Sequence, residues 1–149
     1  MAATPVRFGI IGTGAIGQRR HIPECVANPD CQLVAVCDAN AARVKEVAAQ
    51  FGVKAYTDYQ EMLEGEKLDA VVVCGPNTLH AQQTLDALKA GLHVLCEKPM
   101  ATTREEAQAM IAAAQKSGKN LMIGHNQRLM PPHVRAKEIL DSGRLGKVI

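Results

Sequence analysis

Residues 6–17 read VRFGIIGTGAIG, an apolar strand that runs directly into the pattern G-x-G-x-x-G. Gly12 suits a tight turn, Gly14 lets the backbone approach a ligand closely, and Gly17 lets the following helix pack close to the sheet. Asp38 follows the next apolar run, residues 33–37, roughly 20 residues further along the chain. A strand, the glycines and the acid in this order predict a dinucleotide-binding unit.

The free amides at the start of the helix favour a pyrophosphate group. The predicted cofactor-binding residues of this turn are Gly12, Thr13, Gly14, Ala15, Ile16 and Gly17. Asp38 is predicted to accept hydrogen bonds from the ribose hydroxyls of an adenosine and to repel a 2′-phosphate, which favours NAD over NADP. Arg43 is expected on a solvated helix face. Two alternatives stay open, namely glycines retained only for packing and an enzyme that binds S-adenosylmethionine.

The rest of the chain alternates between strand and helix patterns, which predicts an α/β fold with a doubly wound parallel sheet of the Rossmann type. Further strands are expected at residues 53–56, 69–74, 93–96 and 121–124. The helices between them show apolar positions at helical spacing. The expected core positions of these helices are Ile16, Ile22, Cys25, Val26, Val44, Val47, Ala48, Phe51, Ala81, Leu85, Leu88, Ala107, Met110, Ile111 and Ala114.

Composition excludes several classes of function. The net charge of +2 and the 3% aromatic content do not favour binding to nucleic acid, and no apolar run reaches the length of a membrane span. The cysteines are odd in number and lack a C-x-x-C pair, so we expect buried thiols in a reducing cytoplasm and no metal site. The N-terminus lacks the pattern of a signal peptide.

Three polar segments follow the predicted strands: residues 75–80, 97–100 and 125–128. In an open α/β sheet they would border the ligand crevice, which lies beyond the carboxyl ends of the strands. In the second segment, Lys98 precedes Pro99 and would reach the crevice, where its amine could hold a substrate oxygen or exchange a proton with it. On these residues alone, an exposed pair of Glu97 and Lys98 is an equally good interpretation.

The motifs GTGAIG, VCD, GPNTLH, CEKPMA and GHNQR, in this order, resemble the Gfo/Idh/MocA oxidoreductases over nearly the whole chain. The resemblance implies hydride transfer between a nicotinamide and a hydroxyl or carbonyl carbon, usually of a sugar, cyclitol or related polyol. It implies that Lys98 contacts both substrate and cofactor and serves in catalysis. It also implies that Pro76, Asn77, His80 and Glu97 lie beside the cofactor, and that Asn126 and Arg128 border the substrate pocket.

The resemblance further implies a dinucleotide-binding domain at residues 1–124, with residues 125–149 beginning a second domain whose first strand would start at residue 145. The acid/base histidine of the family lies in that second domain, so we expect this chain to bind NAD but to turn over little. A full-length protein is expected to be a homo-oligomer, whereas this chain is expected to remain a monomer unless its last strand pairs with another copy. A non-catalytic dinucleotide-binding module remains an alternative.

Overall fold

A computed structural model of the protein describes residues 4–147, which form a single six-stranded parallel sheet. The strand order is β3-β2-β1-β4-β5-β6, so the chain winds outward in both directions from β1, and the predicted doubly wound sheet is confirmed. The strands are β1 (Val6–Ile11), β2 (Cys31–Cys37), β3 (Lys54–Tyr56), β4 (Ala70–Val73), β5 (His93–Cys96) and β6 (Leu121–Ile123).

Helices connect the strands and cover both faces of the sheet. They are α1 (Ile22–Ala27), α2 (Ala41–Phe51), α3 (Tyr59–Gly65), α4 (His80–Lys89), α5 (Arg104–Ser117) and α6 (Pro131–Asp141). A π-helical turn, Gly17–His21, leads into α1, and short 3-10 turns, Asn77–Leu79 and Asn126–Leu129, precede α4 and α6. Within residues 4–147, no helix is long and apolar enough to cross a membrane.

The core consists of two apolar clusters, as expected for a sheet covered on both faces. One cluster is built around Met62, Leu88 and Met110, and the other includes Ile22 and Val44. All four residues of β4 are buried, which explains why this strand reads as an uninterrupted apolar run.

Local hydrogen bonds fix where the helices begin and end. The Asn40 side chain accepts from the amide of Arg43 at the start of α2, and Thr103 and Glu106 form the predicted capping box at the start of α5. Gly52 ends α2 in the left-handed conformation with φ +66°. These caps were all predictable from residue type and spacing.

Several expected core positions are wrong. Ile22 and Cys25 are buried as expected, whereas Val26 is 54% exposed and Ile16, which precedes the π-helical turn and lines the cavity, is 37% exposed. Ile111 on α5 is also 49% exposed, because the neighbouring alanines and Met110 pack on the sheet instead.

The C-terminal segment departs from its prediction as well. No residue of α6 is buried, and residues 145–147 do not form a strand. The remainder of the predicted last strand, Val148 and Ile149, lies outside the described residues, as do residues 1–3.

Candidate functional site

A cavity of about 850 Å³ opens at the carboxyl ends of β1, β2, β3 and β4. Open α/β sheets bind ligands at this position, beyond the carboxyl ends of the strands and at the point where the strand order reverses. The cavity has the size of a small-molecule site. It is lined by Ile11, Gly12, Gly14, Ala15, Ile16, Cys37, Asp38, Ala39, Asn40, Arg43, Thr57, Asp58, Tyr59, Cys74, Gly75, Pro76, Leu79 and Gln83.

The three glycines of the first turn have different physical roles. Gly12 has φ +109°, and a Cβ there would lie 2.6 Å from the backbone of Cys74 and Gly75, so both its conformation and its packing require glycine. A Cβ on Gly17 would lie 2.4 Å from the carbonyl oxygen of Gly12, which confirms the close packing of this helix. A Cβ on Gly14 would meet nothing within 4 Å, because Gly14 borders the cavity.

Asp38 lies directly after β2 and is held by several donors. Its Oδ2 accepts from the amide and the hydroxyl of Thr13, at 2.8 and 3.0 Å, and its Oδ1 accepts from the amide of Asn40 at 2.9 Å. Thr13 is fully buried, so its polar groups serve to fix Asp38 beside the glycine turn. Only 9% of the Asp38 side chain is exposed, yet the residue lines the cavity.

Arg43 is exposed on α2 as expected, but it also lines the cavity and pairs with Asp38, which was not expected. Its Nη2 donates to Asp38 Oδ1 at 2.6 Å and its Nε donates to Oδ2 at 3.3 Å, while 42% of its side chain remains exposed. A carboxylate offers about four acceptor positions. Asp38 already receives five donors, so the exposed guanidinium is the partner that a ligand would displace most easily.

These bonds also set the charge of Asp38. Burial alone would raise its pKa, but the hydrogen bonds from Arg43, Asn40 and Thr13 together outweigh burial and hold the pKa of Asp38 below its ordinary value. The carboxylate is therefore ionised at neutral pH and can accept hydrogen bonds from hydroxyl groups.

The loop after β4 contributes Pro76 to the cavity, whereas Asn77 is exposed on the 3-10 turn before α4. His80 is only 1% exposed, with its Nδ1 2.8 Å from the Pro99 carbonyl oxygen and its Nε2 3.1 Å from that of Gly75. Because the ring is enclosed, His80 links the loops after β4 and β5 and has no free face for direct contact with a ligand.

Glu97 and Lys98 follow β5 outside the lining of the cavity. Glu97 Oε1 lies 3.0 Å from His21 Nε2, and Glu97 Oε2 accepts from the backbone amide of Lys98 at 3.0 Å. The side chain of Glu97 is 13% exposed, whereas Lys98 is exposed and is followed by a cis peptide bond to Pro99. The Glu97 side chain thus pairs with His21, and among residues 4–147 Lys98 forms no salt bridge.

The contact between His21 and Glu97 was not predicted. Sequence patterns give no sign of this pair, because 76 residues separate His21 from Glu97. The π-helical turn, which has no clear sequence pattern, ends at His21 and determines the direction in which its ring points.

Asn126 and Arg128 lie on the exposed 3-10 turn that follows β6, away from the lining of the cavity. Their predicted contact with a substrate stays a prediction. No group of three or more His, Cys, Asp or Glu side chains able to hold a metal ion is found among residues 4–147.

The cysteines at the strand ends are buried and free. Burial is the main cause that raises the pKa of Cys37 and of Cys74 to about 12, and it also raises the pKa of Cys96. A thiol that remains protonated is a poor nucleophile. The expectation that Cys96 is a buried thiol is therefore confirmed.

Taken together, the residues fit a dinucleotide. The space above Gly14 and the donors at the start of the helix suit a pyrophosphate, and the ionised Asp38 suits a ribose at the far side of the glycine turn. Because Lys98 lies after β5, beyond the β4 edge of the cavity, the adenosine half of such a ligand would occupy the cavity and the reactive half would extend toward Lys98.

Comparison with known proteins agrees with this geometry. The model of the Gfo/Idh/MocA oxidoreductase family, described as an NAD-binding Rossmann fold, matches residues 6–125. The chain is 38% identical to D-glucoside 3-dehydrogenase of Escherichia coli (strain K12) over 99% of this chain and 42% of that protein. The chain therefore spans less than half the length of this curated relative.

Two solved structures are also similar to this chain. The WlbA dehydrogenase from Bordetella pertussis, in complex with NADH and UDP-GlcNAcA, has a TM-score of 0.90 and 31% identity, with 96% of this chain and 44% of that chain covered. The 3-ketoreductase KijD10 from Actinomadura kijaniata, in complex with NADP and TDP-benzene, has a TM-score of 0.87 and 36% identity, with 94% and 43% covered. Structures similar to this chain thus include both an NADH complex and an NADP complex.

Proposed function

We propose that this chain, which belongs to the Gfo/Idh/MocA oxidoreductase family, forms the NAD-binding part of an enzyme acting on a sugar, cyclitol or related polyol. The nicotinamide would accept or supply the hydride at a hydroxyl or carbonyl carbon of that substrate. Residues 1–124 would form the dinucleotide-binding domain, and residues 125–149 would begin a second domain. The single observation that carries the proposal is the ionised Asp38 beside the glycine turn on one cavity.

The proposed cofactor is NAD in preference to NADP. A buried carboxylate at this position accepts hydrogen bonds from both ribose hydroxyls and repels a 2′-phosphate. Arg43 opposes this preference, because a guanidinium released from Asp38 would attract the phosphate. We expect the carboxylate to dominate, because its other three hydrogen bonds hold it on the cavity while Arg43 is exposed.

Lys98 is the proposed catalytic residue. Its backbone is fixed by the bond from its amide to Glu97, which is itself held by His21, while its own side chain is exposed after β5. An amine in this place would donate a hydrogen bond to the reacting oxygen of the substrate and contact the ribose of the nicotinamide. Asn126 and Arg128 on the neighbouring turn are proposed to contact the substrate.

The relatives support the proposed substrate class. The Escherichia coli relative is a glucoside 3-dehydrogenase, and the WlbA and KijD10 structures contain a UDP-sugar and a TDP compound. We propose that this chain serves the same general chemistry, the oxidation or reduction of one carbon in a polyhydroxylated ring. From the family resemblance, we also propose that the whole protein is a homo-oligomer.

Isothermal titration of the chain with NAD, NADP and S-adenosylmethionine tests the cofactor. We expect NAD to bind at least tenfold more tightly than NADP and no binding of S-adenosylmethionine. Tighter binding of S-adenosylmethionine than of either dinucleotide would contradict the proposal. Binding of NADP in preference to NAD would overturn the role of Asp38 while leaving the oxidoreductase function in place.

A further inference from the structure

Gln83 is a polar residue at a buried position of α4. It is 5% exposed, it lines the cavity, and its Oε1 is buried without a hydrogen-bond partner among the described residues. Most buried polar atoms in proteins have a partner, so an orphan acceptor beside a cavity calls for a physical explanation. The neighbouring Gln82 provides a contrast, because it is exposed and donates to Asp86.

Packing alone does not explain a glutamine at this position. Its carboxamide lies against the turn after β4, where a Cβ on Gly75 would be 3.6 Å from Oε1. Methionine would fill nearly the same volume without burying an unpaired oxygen, which costs stability. The carboxamide is therefore better explained by a partner that enters the cavity.

The position of Gln83 indicates which part of the ligand it would contact. On the proposed function, the pyrophosphate lies at the glycine turn and the ribose at Asp38, so the base lies further along the cavity. That part of the cavity is walled by the apolar side chains of Pro76 and Leu79 on the side of α4, and Gln83 is next to them. A flat base with an apolar face and a polar edge fits against these side chains.

Other polar side chains in this part of the cavity already have partners. The Tyr59 hydroxyl donates to Asp86 at 2.7 Å, and the Asp58 carboxylate accepts from the amide of Gln60 at 2.8 Å. Asn40 accepts from the amide of Arg43. Among the described residues that line the cavity, Gln83 is the one with a buried side-chain acceptor that lacks a partner.

The chemistry of the unpaired atom, Oε1 of Gln83, determines which group of the base it can bind. Oε1 is an acceptor, and the 6-amino group is the only donor on the edge of adenine. We propose that Gln83 accepts a hydrogen bond from this 6-amino group and thereby selects adenine over a base with a 6-carbonyl group. This inference rests on the proposed function, because it presupposes that a dinucleotide occupies the cavity.

The test compares NAD with nicotinamide hypoxanthine dinucleotide, which carries a carbonyl oxygen in place of the 6-amino group. We measure the dissociation constants of both by titration calorimetry for the unmodified chain, for Gln83→Met and for the control Gln82→Met. The unmodified chain and Gln82→Met should prefer NAD by about tenfold, since one base-edge contact gives discrimination of this order. In Gln83→Met the preference should fall to within about twofold.

A second variant, Gln83→Glu, keeps an acceptor at this position and should retain the preference for NAD. It also keeps the test decisive if circular dichroism shows that Gln83→Met does not fold. An equal affinity of the unmodified chain for both dinucleotides, or the same preference in Gln83→Met as in the unmodified chain, would overturn the inference alone. Failure of the unmodified chain to bind NAD at all would instead overturn the proposed function.

Discussion

At the scale of single residues, Asp38 is the proposed determinant of which cofactor the cavity accepts. We predict that Asp38→Ser weakens NAD binding roughly tenfold to hundredfold, because hydrogen bonds to a charged group are worth about 1.5–3 kcal/mol. The same change should weaken NADP less, because it removes a repulsive charge and frees Arg43. Titration calorimetry with both cofactors measures the change, with the exposed Asp30→Ser as control. An unchanged ratio of the two affinities would remove Asp38 from this role.

Asp38 also makes a prediction about pH. Its folded pKa is lowered, so its contribution to stability is complete above the unfolded pKa and is lost as the pH falls through the folded value. The free energy of unfolding of the native chain should therefore exceed that of Asp38→Asn by a margin that is constant from pH 8 to 5 and shrinks at lower pH. Urea denaturation at stepped pH values measures this margin. A margin that grows on acidification would contradict the ionisation of Asp38.

The residue scale also shows where sequence patterns stop being informative. Asp38 was predictable because its type and its distance from the glycines match the dinucleotide-binding pattern. The partnership of Arg43 with Asp38 was missed, because helical spacing alone gave Arg43 a solvated face. The orphaned Oε1 of Gln83 could be recognised only from its surroundings, since a single glutamine on a helix carries no pattern.

At the scale of elements, the turn from β1 into the first helix contains Gly17, which close packing requires, and Gly14, which borders the cavity. We predict that Gly17→Ala destabilises the protein by about 1–3 kcal/mol, because the added methyl group would overlap the Gly12 carbonyl oxygen. Gly14→Ala should leave stability nearly unchanged, because its methyl group meets no protein atom, yet it should weaken NAD binding at least tenfold by occupying the cavity.

Thermal unfolding and titration calorimetry on both variants give the two measurements. The expected pattern is a lowered Tm in Gly17→Ala and a lowered affinity at constant Tm in Gly14→Ala. If Gly14→Ala bound NAD as tightly as the unmodified chain, the pyrophosphate could not lie at this turn.

The elements whose formation depends on local chemistry were predictable from the sequence. The five strands after β1 and the caps at Asn40 and Thr103 follow from apolar runs and from side chains that accept from backbone amides. The π-helical turn at Gly17–His21 was not predictable from the sequence, because it depends on tertiary packing against Glu97 and the sheet.

At the scale of the whole molecule, the proposed catalytic residue Lys98 follows β5 and lies outside the lining of the cavity proposed to bind the cofactor. In a protein that joins this chain to the remaining length of its relatives, we predict that Lys98→Ala lowers turnover of a sugar or cyclitol substrate at least a hundredfold. NAD affinity should change no more than about threefold, because Lys98 lies outside the cavity lining. Steady-state kinetics and calorimetry measure both quantities, with the exposed Lys116→Ala as control.

Equal turnover in Lys98→Ala and the unmodified enzyme would return Lys98 to the alternative interpretation of an exposed charged residue. Absence of turnover in the unmodified enzyme, together with tight NAD binding, would favour the non-catalytic module that the sequence left open. Within residues 4–147, no other element covers the exposed side chains of α6, among them Val134 and Leu140.

The doubly wound parallel sheet and the place of the cavity followed from the sequence, because alternating strands and helices leave few ways to wind a parallel sheet. The sequence predicted that Glu97 and Lys98 border the crevice facing the glycine turn, whereas the structure divides this site, because both residues lie outside the lining of the cavity that Asp38 lines. A crystal structure of the chain with NAD is the most direct test of that division. We predict the adenosine ribose on Asp38, the pyrophosphate above Gly14 and the nicotinamide directed toward Lys98. A dinucleotide bound anywhere else, or bound here in the opposite direction, would contradict the central claim.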